Sequence, residues 1–91
     1  MIFILHCKLR RDQASRLEQF RPQHFSHAKS GLVKIVNAGP TLTDDGREII
    51  GGVYIFEAED RATAERYYSS DPYAREGIWE KTLLEGFDKR V

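Results

Sequence analysis

Only one cysteine, Cys7, occurs among the 91 residues, so no disulfide can close within the chain, and a reducing, cytoplasmic setting is expected. Charge of one sign is lacking too. Fourteen Lys and Arg balance fourteen Asp and Glu, which leaves no positive field to gather a phosphate backbone and removes nucleic acid from the expected partners. No hydrophobic run is long enough for a bilayer. Ile2-Phe3-Ile4-Leu5 gives way at once to His6, Cys7 and Lys8, and it lacks the basic lead and small-residue cleavage site of a secretion signal, so no membrane partner is expected. Gly-x-Gly-x-x-Gly, a phosphate loop and a Gly-x-Ser-x-Gly elbow are all missing, and nucleotide-dependent and serine-hydrolase chemistry lose their usual support.

What remains is enough for one domain over residues 1–91, able to bury roughly 60 to 70% of its unfolded surface. Residues 2–8 have the length and the β-branched and aromatic content of a strand, apolar on both faces at its start. Asp12 reads as the N-cap of a helix along which Leu17, Phe20, His24 and Ala28 recur at steps of three and four. Pro22 removes the bond to the Glu18 carbonyl, so this helix must kink or restart there, and Gly31 closes the helical region. A second strand is expected over 32–38, ended by Gly39-Pro40. Asp44-Asp45-Gly46 then reads as a tight hairpin with positive φ at both central positions. Gly51-Gly52 allows a bulge or a close backbone approach before a third strand over 53–58. Asp60 caps a second helix over 61–69, Asp71-Pro72 starts one more turn that ends at Gly77, and residues 78–87 form the last strand. Strand, helix, strand, strand, helix, strand is the order of a ferredoxin-like α+β fold with an antiparallel sheet. Helices would cover one face of that sheet. Trp79, Leu83 and Tyr54 are expected on the other, and so large an apolar face calls for a second copy of the chain, a homodimer.

Two residues stand out as chemistry. His24 follows Arg21-Pro22-Gln23, and an imidazole is the side chain most readily tuned to move protons near neutrality. Asp71 is fixed at a bend by Pro72, and a fixed carboxylate can orient an imidazole. Each has a plainer reading: His24 as a satisfied, half-buried residue on a helix stripe, and Asp71 as a helix cap occupied by backbone N–H groups. Tyr73, beside Asp71, is placed to line a pocket and donate a hydrogen bond, and Arg21 to meet a carboxylate or helix carbonyls. His24 and His27, three apart, could share a metal with His6 or Asp71. That spacing is a weak metal signal, and His27 reads as a rim residue, with no metal expected. Cys7 reads as a small apolar core residue rather than a nucleophile.

Taken in order, the short hydrophobic first strand, Arg21-Pro22-Gln23-His24, Gly39-Pro40, Asp44-Asp45-Gly46 and Asp71-Pro72-Tyr73-Ala74 with Gly77 resemble the YciI-like (YCII-related) family over nearly the whole chain. The resemblance implies a dimeric ferredoxin-like α+β barrel whose pocket holds a histidine and an aspartate, roles that fall on His24 and Asp71. One branch of that family is similar to a dehydrochlorinase of a chlorinated hydroxyquinol, a reaction of proton transfer without an organic cofactor. The expectation is therefore a cofactor-independent, lyase- or isomerase-like enzyme of a small molecule, with His24 and Asp71 as catalytic pair and Arg21 and Tyr73 as substrate contacts. The alternative is a dimeric small-molecule-binding or accessory module in which the pair only staples helix to strand.

Overall fold

In the computed structural model, which describes residues Met1–Val91 throughout, four antiparallel strands lie in the order β2-β3-β1-β4. They are β1 (Ile2–Leu9), β2 (Lys34–Leu42), β3 (Ile49–Glu57) and β4 (Trp79–Phe87). Three α-helices accompany them: α1 (Leu17–Ala28), α2 (Arg61–Ser70) and the single turn α3 (Pro72–Arg75). Alternation along β1 buries Phe3, Leu5 and Cys7 and leaves Ile2, Ile4 and His6 half-exposed, so the helices cover one face. Each helix sends rings onto that face. His24 of α1 meets Tyr54, Tyr67 of α2 meets Phe56, and Tyr73 of α3 meets Trp79, with Leu17, Ala64, Ile78 and Leu84 filling the same core.

The second half of the chain follows its local signals closely. Asp60 Oδ1 accepts the Thr63 N–H at 2.8 Å and opens α2, and Asp71 opens α3 with Pro72 in the first turn. The first half departs from them in three places. Asp12 is not a cap: it sits at φ +63°, tolerable for an aspartate, and a 3-10 turn over Ala14–Arg16 intervenes before α1. The entry to α1 is tied instead by Arg16, whose guanidinium donates to Gln13, to the Glu76 carbonyl and to the Glu76 carboxylate. Helix α1 then runs through Pro22 as one element.

Gly39-Pro40 does not end β2. The strand continues to Leu42, with Pro40 opposite Gly52, because β2 is a sheet edge where a missing N–H breaks no ladder on its outer side. In the hairpin that follows, only Gly46 takes positive φ, at +74°. Its N–H bonds to the Thr43 carbonyl at 2.8 Å, while Asp45 accepts from the Thr43 hydroxyl and the Arg47 N–H, which holds it on the ordinary side of the map. That is a type I turn with a closing glycine rather than one with two left-handed centres.

The largest correction concerns Trp79 and Tyr54, expected on the uncovered face. Both are buried on the helix side, and Leu83 alone of the three lies opposite, at 36% exposure. A register shift between β1 and β4 at His6/Cys7 inserts an extra residue, Thr82, into β4. Alternation reverses across such a bulge, so Trp79 and Leu84 both face the core. Ile4, Ile55, Val53, Leu83 and Phe87 remain on or beside the open face, partly exposed.

Candidate functional site

His24 reaches the sheet because it occupies the buried stripe of α1 with Leu17, and Asp71 reaches His24 because it is the shared corner of two helices. Pro72 keeps Asp71 extended, at φ −66° and ψ 131°, and the residue serves as C-cap of α2 and N-cap of α3 together. Oδ1 accepts the Tyr73 N–H at 2.9 Å, and both carboxylate oxygens lie 2.9 Å from His24 Nδ1. The pair is buried, His24 at 7% and Asp71 at 3% exposure.

On the other side of the imidazole, Nε2 lies 3.2 Å from the Tyr54 hydroxyl, and Trp79 Nε1 lies 3.0 Å from the same oxygen. The donors can be assigned in sequence. Indole N–H only donates, so the Tyr54 oxygen accepts from Trp79 and its own proton is free for His24 Nε2. An ionised carboxylate only accepts, so Nδ1 carries a proton and donates a hydrogen bond to Asp71. The result is a one-way chain, Trp79 to Tyr54 to His24 to Asp71, with the Nδ1 proton on the Asp71 side.

Aromatic packing fixes the chain in place. Tyr73 stacks on the His24 ring at 4.1 Å between centroids and 12° between planes, and its hydroxyl is spent on the Leu17 carbonyl at 3.2 Å. Tyr54 meets His24 edge-on at 5.7 Å, and Trp79 meets Tyr73 edge-on at 5.1 Å. Burial first, then the charge of Asp71, pushes the Tyr54 hydroxyl well above an ordinary phenol, while the Trp79 N–H pulls it back part of the way. Tyr73 is raised by burial as well, with Arg21 opposing.

A cavity of about 410 Å³ opens onto this group. His24, Tyr54, Tyr73 and Trp79 form its inner wall, and Arg21, Phe25, Pro40 and Ile49 lie among its other lining residues. Arg21 is half-exposed and paired to Glu18 at 2.7 Å, one turn along the same helix. All four residues singled out in the sequence therefore meet at one place: three line the cavity and Asp71 stands directly behind His24.

The other histidines lie elsewhere. His27 Nε2 donates to the Tyr67 carbonyl at 2.7 Å and stacks on the Tyr67 ring, and His6 bonds to Thr82 on the far side of the sheet. No three His, Cys, Asp or Glu side chains come together as a metal-binding group. Cys7 is buried opposite Gly52, its thiol pushed up to about 12 chiefly by burial, which suits a core residue.

Sequence reasoning missed Tyr54 and Trp79 as parts of the site. A signal did exist in Gly51-Gly52. A Cβ on Gly52 would stand 3.1 Å from the Tyr54 hydroxyl and 3.2 Å from the Trp79 ring, and one on Gly51 would stand 2.3 Å from the Cys7 carbonyl oxygen. The glycines leave room for two large side chains and for close strand pairing.

This fold is shared with a solved structure, 5-chloro-2-hydroxyhydroquinone dehydrochlorinase (TftG) from Burkholderia phenoliruptrix AC1100 in complex with 2,5-dihydroxybenzoquinone. The likeness has a TM-score of 0.82 at 24% sequence identity, over 97% of this chain and 94% of the other. No curated protein matches the chain in sequence. The family model of the YCII-related domain matches residues 1–88, nearly the whole length including every residue of the cavity wall, and the chain belongs to that family.

Proposed function

We propose that this protein is a cofactor-independent enzyme of a small molecule, moving a proton with His24 and Asp71 in a lyase- or isomerase-like reaction. The observation that carries the reading is the cavity itself: an aromatic-walled space of about 410 Å³, within the usual range of ligand pockets, with a buried imidazole in its wall and a carboxylate directly behind it. In that reading His24 takes a proton from an acidic O–H or C–H of the bound compound. Asp71 holds the productive tautomer and balances the imidazolium that forms, and Arg21 lies on the side where a delocalised anion would be favoured. Tyr73 contributes a ring face rather than its hydroxyl. If the substrate carries a leaving group such as chloride, the group departs with its bonding electrons and completes an elimination. The likeness to a dehydrochlorinase, and the planar dihydroxyquinone bound to that protein, support flat, oxygen-rich aromatic or quinonoid compounds as the first to try.

The test is direct. 2,5-Dihydroxybenzoquinone should bind, 5-chloro-2-hydroxyhydroquinone should be turned over, and His24→Asn should lower turnover at least about 10²-fold with the fold retained. Full activity in His24→Asn would remove the reading. A second reading, a binding module without catalysis, is favoured by one observation: both nitrogens of His24 already have partners within the protein. In that case His24→Asn should unfold at clearly lower urea while ligand affinity follows the shape of the cavity.

The proposal extends to assembly. The order β2-β3-β1-β4 with its two crossovers fits a ferredoxin-like arrangement, and Ile4, Ile55, Val53, Leu83 and Phe87 would be covered by a second copy, closing a dimeric α+β barrel. A cytoplasmic setting goes with it. Sedimentation at micromolar concentration should give twice the chain mass of 10.5 kDa, and a monomer would count against the dimer.

A further inference from the structure

We infer that Tyr54 is the group that touches the substrate's proton, relaying it between the bound molecule and His24 Nε2, so that the imidazole acts through a phenol. This rests on the His24–Asp71 reading above and deepens it.

Neither nitrogen of His24 is free. Nδ1 is held by Asp71 and Nε2 by Tyr54, and one face of the ring is covered by Tyr73. A proton coming from the cavity meets the Tyr54 oxygen on its way to Nε2. Tyr54 lines the cavity, and its oxygen is fixed by the Trp79 N–H at 3.0 Å and lies 3.2 Å from His24 Nε2, with its own proton available to that nitrogen. Its remaining lone pair is the acceptor left for a ligand.

The step balances as two coupled transfers. The substrate X–H bond breaks and its proton bonds to the Tyr54 oxygen, while the Tyr54 O–H bond breaks and its proton bonds to His24 Nε2. The electron pair of X–H stays on the substrate as an anion, Tyr54 ends as it began, and the charge deposited in the protein is an imidazolium against Asp71. Trp79 favours the moment when the phenol oxygen carries extra negative charge. Burial keeps a free phenolate from accumulating at rest, so the two transfers go together. In reverse, the same chain hands a proton to a departing or carbanionic atom.

Tyr54→Phe tests this, since it removes one oxygen and keeps the ring that packs on His24 and Tyr67. Nitrogen-15 NMR of the imidazole should show wild-type His24 protonated on Nδ1 with a hydrogen-bonded Nε2, and in Tyr54→Phe the Nε2 resonance should move to that of an unbonded nitrogen. This readout needs no substrate, and an unmoved Nε2 overturns the relay. With 5-chloro-2-hydroxyhydroquinone, Tyr54→Phe should lose about 10²-fold in kcat with KM little changed. Full turnover in Tyr54→Phe beside a dead His24→Asn would overturn the relay and leave the His24–Asp71 pair standing. Full turnover in both would remove that pair as well.

Discussion

Asp60 and Asp71 look alike in the sequence, each an aspartate set before a helical stretch, and each does cap its helix, Asp60 to the Thr63 N–H at 2.8 Å and Asp71 to the Tyr73 N–H at 2.9 Å. Their surroundings differ. Asp60 is at the surface, and its carboxylate serves Thr63 and nothing beyond α2. Asp71 lies under α1, and the same carboxylate also holds His24, which holds Tyr54. One local motif thus does two jobs, and the difference comes entirely from what the tertiary fold lays over it.

The comparison is broken most severely at Asp71. Asp71→Ala removes the partner of a buried N–H and of a buried imidazole together, and the loss should be about 3–5 kcal/mol in urea unfolding. Asp71→Asn separates the two jobs. Asparagine caps about as well as aspartate, so most of the stability should return. It brings no negative charge to balance an imidazolium, so turnover should stay down by at least about 10²-fold. Recovery of both in Asp71→Asn would reduce Asp71 to the level of Asp60, a cap and no more.

How much of this was legible follows the same division. Signals that act within a few residues were read correctly: the alternation of β1, the cap at Asp60, the Asp71-Pro72 restart, the stripe carrying Leu17 and His24. Signals that depend on a neighbour were not. Pro40 reads as a stop unless β2 is known to be an edge, and Asp12 reads as a cap unless the tie from Arg16 to Glu76 is known to set the entry of α1. Trp79 went to the wrong face because a bulge in β4 leaves no mark in composition, and Tyr54 because its face is set by its pairing opposite Leu5 of β1; with them went the inner half of the site. His24 and His27 make the point within one helix. One turn apart and alike by type, one is wired through side chains into the cavity wall and the other is spent on a backbone carbonyl. The pairing of His24 with Asp71 was legible through the resemblance of their two motifs to a family, since neither spacing nor periodicity carries a distance.

At Asp60 the expected effect is the smallest and its sign is set by titration. Hydrogen bonds from Thr63, backbone first and then hydroxyl, hold the Asp60 carboxyl below its ordinary value in the folded chain. A carboxyl depressed by folding stabilises above its unfolded pKa of about 3.9, and that contribution fades as pH falls through the lower folded value. Asp60→Ala should therefore melt a few degrees below the wild type at pH 7, with the gap unchanged down to about pH 4 and closing only below it. Asp60→Asn should cap α2 at neutral pH and restore the melting point, and neither variant should move the Nε2 resonance of His24 or the turnover, because nothing joins α2's cap to the cavity. A change at His24 in Asp60→Ala would mean that the two aspartates are coupled along α2, and the contrast between a purely local cap and a cap drawn into a site would no longer hold.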